Sequence, residues 1–158
     1  MSPHEVMHPQ QNILLRALPV ESRARIFPLL QRVQLHLGQV LYETGDIVRD
    51  VYFPTDALIA QMYVMEKGTA TAVIGNEGIV GVALFIGGEA TPNRAIVQSA
   101  GTAYRLKGPL LKQEFNRAGA LRQMLLRFTH VLLTQMTQTA QCHHDRPLAQ
   151  HMCRARLP

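Results

Sequence analysis

The sequence predicts a mainly β fold with flanking helices: a sandwich or jelly roll of short strands, opened by helical turns and closed by one long C-terminal helix. Three observations predict it. Between residues 33 and 107 apolar residues alternate in short runs, and glycine-bearing turns recur between the runs. From Gly108 onward the period changes to that of a helix. A chain of 158 residues, 47% of them apolar, buries one core and fits one domain.

The elements follow in order. Ile13, Leu14 and Leu18, then Ile26, Leu29 and Leu30, recur at helical spacing, and Pro19 starts a second short helix with Glu21 in its first turn. Next, "VQLHL" (33–37) alternates, Gly38 interrupts it, and "QVLYETGD" leads into a turn at Gly45-Asp46. "VYFP" and "DALIAQMYVM" continue the β pattern; "EKGT" (66–69) is a turn with glycine placed for positive φ, and "ATAVIG" answers it as the second arm of a hairpin. After the glycine-rich stretch "GNEGIVGVALFIGGEATPNRA" (75–95), "RAIVQSAGTAYRLKG" gives two more strands around Ala100-Gly101. "PLLKQEFNRAG" is a helix that begins at Pro109 and stops at Gly119, and "ALRQMLLRFTHVLLTQMTQTAQC" is one long helix.

That long helix carries two apolar seams. One is Leu121, Leu125, Phe128, Leu132, Gln135, Thr139 and Cys142; the other is Met124, Phe128, Val131, Gln135, Gln138 and Cys142. Together they make a face wider than packing on one domain requires, so the helix either meets a partner helix, most simply its symmetry mate, or lies deep against its own sheet. The dimer reading places Leu121, Met124, Leu125, Phe128, Val131, Leu132 and Gln135 in the interface.

Charge and cysteine usage bound the function class. The net charge of +5 is uneven: up to residue 103 there are 7 Lys and Arg against 9 acids, and from Arg105 onward there are 9 against Glu114 and Asp145. A basic second half is either a nucleic-acid contact or a solvated helix face. Cys142 and Cys153 both lie near the C-terminus, the wrong distribution for a disulfide framework, so reduced thiols are expected. "MSPHEVMHPQQN" has no basic region followed by an apolar run, and no window reaches the apolar length of a membrane span. A soluble, cytoplasmic protein is expected.

Few residues form patterns with catalytic meaning. There is no Gly-x-x-x-x-Gly-Lys-Ser/Thr loop, no His-Glu-x-x-His and no Gly-x-Ser-x-Gly turn, and the acids are scattered singly. Catalysis is therefore not expected. "CHHDRPLAQHMC" holds Cys142, His143, His144, His151 and Cys153, all competent metal ligands, at a spacing that matches no finger or ribbon; a polar chain end explains it as well, and no metal is assigned. His36 stands alone on a strand, where a metal-dependent jelly-roll enzyme of the cupin type, the competing reading, needs several histidines. In the glycine-rich stretch, Gly75, Gly78, Gly81, Gly87 and Gly88 bracket "IVGVALF", a single helical turn with outward amides, and Arg94 follows. This is either a cradle for a small anionic effector or a set of tight corners, with Arg94 paired to Glu89 on the surface.

The order of elements, with "LGQVLYETGDIVRDVYFPTDALIA" (37–60), "GNEGIVGVALFIGG" (75–88) and "NRAIVQSAGTAYRL" (93–106), resembles the sensor domain of the Crp/Fnr family of bacterial transcription regulators. The similarity spans about residues 11 to 154, and Gly-x-x-Leu-Tyr-x-x-Gly-Asp, Gly38 to Asp46, carries most of it. The resemblance implies an eight-stranded cyclic-nucleotide-binding-type jelly roll, a dimerisation helix and then a winged helix-turn-helix. It divides the chain into a flexible N-terminus (1–10), the sensor roll (11–118), the dimerisation helix (119–142) and a remnant of the DNA-binding domain (143–158), expected to be disordered, so DNA binding is not expected of this chain alone. The effector pocket is expected between the roll and the long helix, with Gly78, Gly81, Val82, Arg94 and Ala95 at the position of the family's phosphate-binding cassette. Two departures stand out. Gly81-Val82 replaces the Gly-Glu whose carboxylate holds a ribose hydroxyl, and Arg94-Ala95 replaces Arg-Ser or Arg-Thr. Losing a charged hydrogen bond costs about 1.5 to 3 kcal/mol, so tight binding of cyclic AMP is not expected. The N-terminal cysteines of the iron–sulfur members are absent.

Overall fold

The structure is a computed structural model that describes residues 9–65, 68–84, 90–117 and 119–144. Pro9–Gln11 forms a 3₁₀ turn, followed by α1 (Ile13–Arg16) and α2 (Val20–Ile26), and Phe27–Leu29 is again 3₁₀. Asn12 organises this entrance. Its Oδ1 accepts from the Leu15 amide at 3.2 Å as the N-cap of α1, while its Nδ2 donates to the carbonyls of Pro54 at 2.8 Å and Gly78 at 2.9 Å. One buried amide thus ties the helical entrance to the sheet and to the glycine-rich loop.

Seven strands follow in the described residues: β1 (Gln31–Leu35), β2 (Val40–Tyr42), β3 (Asp50–Pro54), β4 (Leu58–Met65), β5 (Gly68–Ile74), β6 (Asn93–Ser99) and β7 (Gly101–Lys107). They form two antiparallel sheets, ordered β1-β7-β3 and β2-β6-β4-β5. This is the expected jelly roll. In place of an eighth strand, the described residues have an isolated bridge between Tyr52 and Val80. Gly45, at φ 92°, turns the chain between β2 and β3, a conformation that costs glycine little. The hairpin predicted around 66–69 is present as β4 and β5, paired from Ile59↔Ile74 to Met65↔Gly68.

The core lies between the sheets, filled by Phe53, Ile59, Ile79, Leu106 and their neighbours. Helix α3 (Gly108–Asn116) carries Pro in its first turn, as predicted, and leads to α4 (Ala120–His144). Glu114, a buried carboxylate on α3, is matched by Arg25 of α2 at 3.0 Å and Arg117 at 3.2 Å. Helix α4 packs on β5. Leu121, Leu125 and Leu132 are buried there within the chain, with Thr129 between them. The wide apolar face therefore divides: the three leucines are taken up by the chain's own sheet, and Met124, Phe128, Val131 and Gln135 stand along its edge. Gln138, Thr139 and Cys142 lie outside the described side chains. Residues 1–8 of the expected flexible N-terminus and 145–158 of the expected remnant lie outside the described residues.

Candidate functional site

The inner face of the four-stranded sheet is set by register. Tyr42 of β2 pairs with Ala95 of β6, Ala95 with Gln61 of β4, and Gln61 with Ala72 of β5. These four residues form one cross-strand row, all of them buried. Because Ala95 is only a methyl group, the residues on either side meet above it: Gln61 Nε2 donates to the Tyr42 hydroxyl at 2.8 Å. In the next row Asn93 pairs with Tyr63. The Asn93 carboxamide stands close to the Tyr42 hydroxyl, and its Oδ1 accepts from the Thr91 hydroxyl.

This polar cluster is buried and incompletely satisfied. Gln61 Oε1 and Asn93 Nδ2 have no hydrogen-bond partner among the described residues. With the Asn93 carboxamide rotated by half a turn, Nδ2 faces the Thr91 hydroxyl and Oδ1 the Tyr42 hydroxyl, so its atoms find partners, whereas Gln61 keeps one atom short in either orientation. An unpaired buried polar atom costs about 1–3 kcal/mol, so the fold retains here an expense that an apolar pair would avoid. Burial holds the Tyr42 hydroxyl well above the usual tyrosine range, and its contacts with Asn93 and Gln61 offset only part of that. Burial also raises Tyr63. The cluster is neutral at any physiological pH.

Charged groups are elsewhere. Among the described residues Glu114 is the one buried charged side chain, and it belongs to α3. Arg94 alternates outward from Asn93 and Ala95, pairs across the ladder with Met62, and meets Glu43 at 3.0 Å with 37% of its side chain exposed. Its partner is thus Glu43; Glu89 lies outside the described residues. In the described part of the glycine-rich stretch, Gly75, Gly78 and Gly81 stand close to neighbouring atoms. Gly78 is pressed against α4, where an added Cβ would lie 2.5 Å from the Phe128 ring. Gly81, at φ 113°, packs against Val51 and the Asp50 carbonyl. Val82 and Ala83 are buried in a 3₁₀ turn, Val82–Leu84, where a single helical turn was expected. The amides of Gly75, Gly78, Val80 and Leu84 already donate to Glu77, Gly75, Tyr52 and Gly81. Gly78, Gly81 with Val82, and Arg94 therefore fall in three different settings, while Ala95 alone lies in the polar row. Gly87 and Gly88 lie outside the described residues.

Two concavities flank these elements. One, of about 540 Å³, is lined by Leu41, Tyr42 and the turn from Gly45 to Asp50, with Tyr52. The other, of about 380 Å³, is an apolar groove between α1 and α4, lined among others by Ile13, Leu14, Ile74, Met124, Phe128 and Val131. None of Gly78, Gly81, Val82, Arg94 and Ala95, the residues expected at the effector pocket, lines it. His36 is exposed just beyond β1, not on it, and among the described residues no three metal-ligating side chains converge. Cys142, His143, His144, His151 and Cys153 lie outside the described side chains. Tyr42, Gln61 and Asn93 are not marked by any motif; the alternation in "NRAIVQS" is the signal that puts Asn93, Ala95 and Val97 on one face and Arg94 on the other.

No family model matches the sequence, and no curated protein sequence matches it. The fold, by contrast, has many solved counterparts. A candidate cyclic nucleotide-binding protein from Geobacter metallireducens aligns at TM-score 0.65 and 14% identity over 87% of this chain and 98% of its own. The sensor domain of the transcriptional regulator DNR from Pseudomonas aeruginosa aligns at 0.60 and 13%, over 79% and 90%. The N-terminal domain of a transcriptional regulator from Streptomyces coelicolor aligns at 0.55 and 23%, over 80% and 91%. The chain has the jelly-roll fold of cyclic nucleotide-binding domains. Among the described residues no helix is long and apolar enough to cross a membrane.

Proposed function

We propose that this chain is a non-enzymatic effector-sensing domain of a Crp/Fnr-type transcription regulator, that its phosphate-binding cassette is degenerate and does not hold cyclic AMP tightly, and that it works as a homodimer through α4. The observation that carries the reading is the roll's inner face: Tyr42, Ala95, Gln61 and Ala72 form a neutral row, Val82 is buried, and Arg94 is engaged outside with Glu43. A phosphate placed inside would lose its hydration without a cation to meet it, which is costly in a low-dielectric interior. The dimer reading rests on the apolar α1–α4 groove, in whose wall Val131 stands 48% exposed. A ligand in such a domain would act by changing how the two α4 helices pack. The competing jelly-roll metalloenzyme draws no support from His36, which is exposed.

The test is a thermal shift with cyclic AMP together with light scattering. The expected result is an unchanged melting temperature at micromolar cyclic AMP and a dimer that Val131→Glu weakens. A marked rise in melting temperature would overturn the cassette argument, and a monomer at high concentration would overturn the dimer.

A further inference from the structure

We infer that two copies of this chain join groove to groove, with Arg127 of each protomer set against Glu77 of the other. The inference rests on the dimer reading above and names the residues that make this surface recognise itself. Three features of the groove between α1 and α4 carry it. Ile13, Leu14, Met124 and Phe128 give it an apolar lining, with Val131 exposed in its wall. Among the described residues its charged lining is one acid and one base, Glu77 on the loop after β5 and Arg127 on α4. Although both line the same groove, they do not pair with each other, and neither has an ion pair among the described residues. The Glu77 carboxylate accepts from the Gly75 amide of its own loop at 3.2 Å, and both side chains are exposed.

A patch that holds apolar surface together with one acid and one base is complementary to itself. Across a two-fold axis the contact from residue i to residue j is repeated from j to i, so one geometry satisfies both charges of both copies. Helix α4 cannot supply the counter-charge alone: it carries Arg122, Arg127 and His130 and no Asp or Glu. Two α4 helices laid side by side would bring only like charges together, and Glu77 is the acid that the groove adds. A foreign anion would meet Arg127 and be repelled by Glu77, whereas a second copy matches both. Ion pairs at the exposed rim of an apolar contact set the choice of partner more than the affinity. They also bring the glycine-rich stretch into the interface, because Glu77 precedes Gly78, which stands against the Phe128 ring.

The experiment measures dimer dissociation of the full chain by analytical ultracentrifugation, for the wild type, for Arg127→Glu and Glu77→Arg separately, and for the two variants mixed. Each variant alone sets like charges against each other twice, and its dimer is expected to weaken at least about tenfold. Mixing gives every new charge an opposite one across the axis, and a heterodimer near wild-type strength is expected. Arg122→Glu makes the same charge change on α4 at a residue that lies over the Phe115 ring, outside the groove, and is expected to leave the dimer at wild-type strength. If the pair formed within one chain instead, the double variant would recover and the mixture would not. A dimer that survives either reversal, or one that mixing does not restore, overturns the inference and leaves the dimer reading intact. A wild type that stays monomeric at high concentration overturns both and leaves the groove to a different partner.

Discussion

The two faces of β6 are built on opposite terms. Inward, Asn93, Ala95 and Val97 are buried in a neutral interior where a single methyl group decides that Tyr42 and Gln61 can touch. Outward, Arg94 meets Glu43 in a setting where both side chains are well exposed and water competes for each. Adjacent residues of one short segment therefore differ in what a substitution should cost. Face, not residue type, sets the scale.

The largest expected effect follows from placing a charge on the inner face. Ala95→Asp buries an unpaired carboxylate between Tyr42 and Gln61 and should destabilise by roughly 3–5 kcal/mol, with part of the loss recovered as the pH falls and the carboxyl takes up a proton. Denaturant unfolding at neutral and acid pH checks both signs. Next, Tyr42→Phe strips Gln61 Nε2 of its acceptor and should cost about 1–3 kcal/mol, whereas Tyr42→Phe combined with Gln61→Leu should recover most of it. A double-mutant cycle that found the two changes simply additive would break the row as described.

Alkaline titration sharpens the same contrast. Burial raises all four tyrosines, Tyr42, Tyr52, Tyr63 and Tyr104, above their usual value of 10.0. Above that pH the unfolded chain releases phenolic protons that the folded chain keeps, so stability falls as pH rises, by up to about 1.4 kcal/mol per pH unit for a tyrosine still fully protonated in the fold. Tyr42→Phe should flatten the slope of a urea-unfolding series taken above pH 10.0. The smallest effect belongs to the outer face. Arg94→Ala should cost no more than about 1 kcal/mol, and less in high salt; a larger loss, insensitive to salt, would mean that Arg94 works somewhere other than at Glu43.

The same contrast explains what could be read from the sequence. Strands and turns were legible because their signals are local: alternation in "NRAIVQS", glycine at 45, and proline at 109 before the change of period. Their number and spacing pointed to a sandwich or a jelly roll, and the resemblance carried by Gly38 to Asp46 narrowed this to the jelly roll. The apolar width of α4 was also legible, but not how it is shared between the domain's own sheet and an open edge, because Leu125 and Val131 differ only in which side of the helix β5 covers. The cluster was hidden for a similar reason. Tyr42, Gln61 and Asn93 come together through strand register, across separations that no spacing rule encodes. The role of Asn12 is likewise not encoded locally, since its partners at Pro54 and Gly78 are set by the tertiary fold. Arg94 was legible as a strand residue, but its partner Glu43 was not, because β2 and β6 meet only through the tertiary fold.

The proposal that the neutral inner face of the roll does not hold cyclic AMP can be tested directly. Calorimetric titration of the wild-type protein and of Arg94→Ala with cyclic AMP tests it most directly. The account predicts no saturable heat from either protein up to about 1 mM ligand, a dissociation constant too weak to offset the buried charge. Saturable micromolar binding by the wild type that disappears in Arg94→Ala would contradict it, because the arginine would then have to turn inward to meet the phosphate.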